Sequence, residues 1–146
     1  MRAALVIAAA LALAGCGGDG REDAIEAAES WLRAVGDRDA DRACELMGES
    51  ATDAIRKKSG LNPKTTCLGV VRQYSDGFKR GDVDDILKTG LEAEGPVKDG
   101  EVGVFPRSGA RELQVILMRR KGGEWKVAST TLGPVQPKPT PTPAAN

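Results

Sequence analysis

Apolar residues recur at three- and four-residue steps through the first half of the chain and alternate with polar ones toward its end. In DAIEAAESWLRAVG, residues 23–36, Ala24, Ile25, Ala28, Trp31, Leu32 and Val35 fall on one face. That spacing predicts an amphipathic helix. Asp23 is placed to cap it, with Glu26 at capping-box spacing, and Gly36 supplies a stop. DADRACELM predicts a shorter second helix, capped by Asp39, with Ala43, Cys44, Leu46 and Met47 toward the core. SATDAIRKKSG predicts a third, opened by Ser50 and Asp53. Arg56, Lys57 and Lys58 lie in its last turn, where cations suit the helix dipole, and Gly60 ends it. Pro63 breaks the chain. A fourth helix is expected from Thr65 or Thr66, with Cys67, Leu68, Val71 and Tyr74 inward.

The period changes after Phe78. KRGDVDD reads as a polar loop, with Asp82, Asp84 and Asp85 on an acidic surface turn. From Ile86 the chain breaks into short strand-like pieces. ILKTGLEAEGPV is the weakest, because Gly90 and Gly95 mark a bulge or bend. Lys98-Asp99-Gly100 marks a turn before the alternating EVGVF, and Ser108-Gly109 marks another. ELQVILMRRK and EWKVASTTL are joined by Gly122-Gly123, a strong hairpin signal. Trp125 and Val127 should share one face of the last strand, and Lys126 and Ala128 the other. Helices first and antiparallel strands second predict an α+β fold, with N-terminal helices packed on a C-terminal antiparallel sheet.

Both ends lie outside this pattern. Met1-Arg2 gives a positive start, and residues 3–14 are uncharged and apolar, the length of a secretory h-region and too short to span a membrane comfortably. Small residues then precede Cys16. LAGC resembles the lipobox of bacterial lipoproteins. The resemblance implies that the Cys16 thiol receives a diacylglycerol, that residues 1–15 are removed as a signal peptide, and that the new N-terminus is acylated. Two or more acyl chains suffice for stable anchoring, where one is marginal. The alternative is an ordinary signal peptide with a chance cysteine. Residues 16–22 read as a flexible tether to the domain at 23–132. Residues 133–146 carry most of the eight prolines and read as a disordered, extended tail.

An exported chain folds where disulfides persist, so Cys44 and Cys67 are expected to pair and tie the second helix to the fourth. Closing that loop should add on the order of 3 kcal/mol. Two buried free thiols are the alternative. Two thiols without histidine leave a tetrahedral zinc site half empty.

AAESWLRAVGDRDADRACELM and RRKGGEWKVAST together resemble small bacterial lipoproteins of the nuclear transport factor 2-like superfamily, the cystatin-like cone folds. The residues that carry the likeness are Trp31, Leu32, Gly36, Asp37, Ala43 and Leu46, then Gly123, Trp125, Lys126 and Val127. The resemblance covers roughly residues 22–132. It implies a cone whose interior, between sheet and long helix, serves isomerase or dehydratase chemistry in some members and binding alone in others. Fold does not choose between these.

Composition narrows the chemistry. The 146 residues include 21 basic and 21 acidic side chains, so no strong field points to nucleic acid. There is no histidine, which removes the commonest general base and metal ligand. Asp37, Asp39 and Asp41 match the first ligand positions of a calcium loop, but Arg42 and Gly48 stand where its glycine and bidentate glutamate belong. Helix capping accounts for them better. Tyr74, the single tyrosine, reads as a core residue with its hydroxyl at the rim. Glu92 and Glu94 are the acids in a candidate strand that could face inward. No acid–base pair, cofactor loop or metal set emerges. The expectation is a lipid-anchored domain on the extracytoplasmic face of the cell membrane that binds a hydrophobic small molecule, a peptide or an envelope protein. A cone-fold enzyme acting on a small hydrophobic substrate is the alternative.

Overall fold

The computed structural model describes residues 20–79, 81–107 and 114–133. Five helices precede a four-stranded antiparallel sheet, giving the expected α+β arrangement. The helices are α1 (Arg21–Gly36), α2 (Ala40–Glu45), α3 (Glu49–Lys58), α4 (Cys67–Asp76) and α5 (Asp82–Thr89). The strands are β1 (Leu91–Lys98), β2 (Glu101–Pro106), β3 (Ile116–Lys121) and β4 (Glu124–Thr130), paired in chain order.

Helix α1 lies across the sheet and touches all four strands. Ala24, Ala28, Trp31, Leu32 and Val35 are its buried stripe, as the spacing predicts, while Ile25 is only half-buried. Its start differs from the expectation. The cap is Gly20, in the left-handed region at φ 80°, and Asp23 makes no capping bond. Glu22 and Asp23 instead lie in the first turn, where the dipole favours acids. The helix thus takes in Arg21 and Glu22, which the sequence places in a flexible tether.

The C-terminal end differs too. Gly36 stays helical, and the left-handed residue is Arg38 at φ 58°. The missing side chain at Gly36 serves packing: a Cβ there would lie 3.0 Å from Val83 Cγ1 of α5. Asp39 then caps α2, its carboxylate accepting from the Arg42 N–H at 3.0 Å.

Residues 46–48, between α2 and α3, run beside the outer edge of β4. The Val127 N–H donates to the Leu46 carbonyl and the Gly48 N–H to the Val127 carbonyl, both at 2.9 Å. This short parallel contact occupies backbone groups that an edge strand would otherwise leave open. Ser50 does not cap α3, because its hydroxyl donates to the Ala128 carbonyl at 3.0 Å. Asp53 pairs with Arg56 within the helix. Gly60, at φ 64°, follows the last turn. Thr66 caps α4, accepting from the Gly69 N–H at 3.4 Å. Val70 and Val71 are its most buried residues, with Leu68 and Tyr74 half-buried.

The segment read as a polar loop and a weak strand is partly α5. Val83, Ile86 and Leu87 stand at helical spacing and face inward, and Asp82, Asp84 and Asp85 form the first turn. Their charges oppose the positive end of the dipole, and Asp82 also accepts from the Lys79 N–H at 2.9 Å. Gly90 turns the chain into β1 at φ 86°.

The hairpins form where the turn signals stand. Asp99 and Gly100 have φ 52° and 74°, and Gly122 and Gly123 have φ 59° and 87°, as a type I′ turn requires. Both hairpins lie at the same end of the sheet. In β2, Val102, Val104 and Pro106 point into the core. The exposed edge, β1, carries Gly95 and Pro96 at a break in register between Glu94 and Lys98, features that discourage further pairing. The alternation expected in β4 holds for Trp125 and Val127. It fails at Ala128, which is buried: Leu117 pairs with Ser129 and Met118 with Val127, so Ala128 is an extra residue in a bulge. The Ser108-Gly109 turn and the proline-rich tail beyond Gly133 lie outside the described residues.

Candidate functional site

The space between α1 and the sheet is where a cone fold would hold a ligand. Trp31 and Leu32 enter it from the helix. Val104, Ile116, Met118 and Val127 meet them from the strands, and Leu132 follows β4. Each is at most 1% exposed. Side chains around a water-sized void would keep accessible surface, so this interior is packed.

Tyr74 closes one side. Its ring lies 5.7 Å from Trp31 and 5.2 Å from Phe78, the latter edge-on. Its hydroxyl donates to the Leu132 carbonyl at 2.7 Å, which ties α4 to the end of the last strand. The single tyrosine is therefore half-buried and bonded to backbone, as a rim residue would be. The indole N–H groups of Trp31 and Trp125 and the hydroxyl of Ser75 are buried without a partner among the described residues.

The two acids that could face inward do not. Glu92 is half-exposed, with its carboxylate 3.7 Å from Arg107 Nε, and Glu94 is exposed. Both lie on the sheet face opposite α1, since their neighbour Leu91 takes the inward position. Asp37 and Asp41 are exposed, and Asp39 is occupied as a helix cap. Among the described residues no group of three or more Cys, Asp or Glu converges to hold a metal ion.

Cavities open elsewhere on the surface, and charged residues line each of them. One of about 320 Å³ lies where the ends of α1 and α4 meet the start of α5, lined by Asp37, Arg38, Ser75, Lys79 and Asp84 among others. A second, about 380 Å³, lies on the outer sheet face at the β1–β2 hairpin, between Glu94, Lys98, Glu101 and Leu117. A third, about 240 Å³, lies between Arg119, Lys121 and Lys126 and the start of α3. The sequence gives no signal for the first and third cavities, because each gathers residues from elements far apart in the chain, while the second lies largely within the β1–β2 hairpin.

Cys44 and Cys67 are joined in a disulfide, with Cα atoms 6.0 Å apart, linking α2 to α4. The Thr52 hydroxyl of α3 lies 3.5 Å from Cys67 Sγ, so three helices meet at this point. Cys16 lies outside the described residues. No helix among those described is long and apolar enough to cross a membrane. No family model matches the chain, and neither does any curated protein or solved structure.

Proposed function

We propose that the chain is a lipoprotein anchored through Cys16 to the extracytoplasmic face of the cell membrane, and that its domain acts by binding, without turnover. The observation that carries the second half is the packed interior. A cone enzyme needs an open, water-excluding pocket with a carboxylate base inside it. Here that space holds Trp31, Leu32, Ile116 and Met118, and the candidate acids Glu92 and Glu94 lie outside it. The order of elements, with a long first helix laid over a later antiparallel sheet, supports placing the domain with the nuclear transport factor 2-like folds. A partner then meets the surface of the domain rather than its interior. An envelope protein or peptide fits this better than a small apolar ligand, because the cavities that open are rimmed by charges.

The test replaces Glu92 and Glu94 with glutamine together in the full chain. The pair is solvent-facing, so the variant should fold and anchor normally and restore whatever defect a deletion strain shows to within about twofold of wild type. A folded, anchored variant that fails to complement would return the enzyme reading.

A further inference from the structure

Gly20 packs on the ring of Trp125: a Cβ at Gly20 would lie 3.4 Å from Trp125 Cζ2. Trp125 is the second residue of β4, directly after the Gly122-Gly123 turn. From Cys16 to Gly20 is four residue steps, which reach at most about 14 Å when fully extended. A lipid on Cys16 therefore keeps Gly20, and the Trp125 ring packed on it, within about that distance of the headgroups, with the β3–β4 turn two residues beyond Trp125.

This end of the sheet is rich in cations. Arg119, Arg120 and Lys121 are consecutive at the end of β3, and Lys126 lies across the hairpin opposite Arg119. Alternation puts Arg120 on the face of Met118 and Trp125, and Arg119 and Lys121 on the other, so both faces of the tip are basic. Carboxylates are present as well. Glu101 pairs with Arg119 at 2.5 Å and Glu124 with Lys126 at 3.8 Å, Asp99 stands with Lys98 in the neighbouring β1–β2 turn, Glu22 and Asp23 stand on the first turn of α1, and Glu49 lies near the third cavity. Those pairs leave Arg120 and Lys121, both exposed, without an ion-pair partner among the described residues. Lys121 also borders the cavity of about 240 Å³ that Arg119 and Lys126 share.

We propose that the β3–β4 hairpin end of the domain lies against the membrane and contacts anionic phospholipid headgroups through Arg120 and Lys121. The reading rests on the lipid anchor at Cys16. The tether lets the basic tip reach the surface, and each cation that comes within a Debye length of it, about 8 Å at physiological salt, gains free energy from a negative leaflet. The contact fixes which face of the domain remains open: the far end of the sheet, where β1 begins and β4 ends, points away from the bilayer.

The test uses the lipidated full chain in vesicles of phosphatidylcholine alone or of phosphatidylcholine with phosphatidylglycerol. Flotation reports the anchor, and acetylation rates read by mass spectrometry report each lysine. The expected result is flotation with both vesicle types, with Lys121 labelled about fivefold more slowly on the anionic vesicles. Lys57 and Lys58 of α3 should label equally on both, and high salt should erase the difference. Substituting R120Q with K121Q, both exposed and so harmless to folding, should remove any anionic-lipid protection of Lys126. Flotation with equal Lys121 labelling on both vesicle types would overturn this proposal and leave the anchor standing. Failure to float on either would overturn both.

Discussion

Replacing Trp31 with alanine should destabilise the domain by about 3 kcal/mol or more. Trp31 is 0% exposed and fills the space between α1, α4 and the sheet. Its removal forfeits the transfer free energy of a large aromatic side chain and leaves a cavity that surrounding strands cannot close. Alanine's better helix propensity returns only a few tenths of a kcal/mol. Trp31→Phe separates packing from polarity. It keeps most of the ring volume and removes an indole N–H that is buried without a partner among the described residues. It should therefore cost less than about 1.5 kcal/mol. Urea midpoints followed by circular dichroism give both numbers. An alanine variant within about 1 kcal/mol of wild type would mean that the interior is not packed as described.

Removing the disulfide should have a comparable effect. Cys44 and Cys67 are 23 residues apart in sequence, and the bridge restricts the unfolded chain over that loop. The chain-entropy relation gives about 3 kcal/mol for such a loop. The double substitution of both cysteines by alanine avoids leaving a lone thiol. It should lower the unfolding midpoint and speed amide exchange in α2 and α4, while α5 and β1 change least. Adding reductant to the wild-type chain should reproduce the loss. Equal stability with and without reductant would contradict the account of the bridge as a clamp between these helices.

How far the sequence speaks for the structure depends on whether a signal is local. The stripe on α1, the cap at Asp39 and the Asp99-Gly100 and Gly122-Gly123 turns are set within a few residues of chain, and all are where the pattern puts them. α5 was hidden by its own first turn. Asp82, Asp84 and Asp85 read as an acidic surface turn, yet a helix N-terminus stabilises them. Val83, Ile86 and Leu87 carried the helical spacing within only eight residues, bounded by Gly81 and Gly90. Ala128 misled for another reason: a bulge depends on the partner strand, and the register of β3 is invisible in β4 alone. Gly36 looked like a helix stop because the close approach of Val83 that uses its missing side chain comes from an element nearly 50 residues away. The positions of Glu92 and Glu94 are likewise decided by register, which the strand's own alternation leaves open between two faces.

The anchor at Cys16 is the premise that locates the protein and gives its hairpin end a membrane to face. Intact mass of the chain extracted from membranes tests it most directly. The account predicts a polypeptide that begins at Cys16, with a diacylglyceryl group on the thiol and an acylated amino group, and a Cys16→Ser chain that carries neither and leaves the mature lipidated form undetected. A soluble chain with an unmodified Cys16, or one cut on the C-terminal side of that residue, would contradict it.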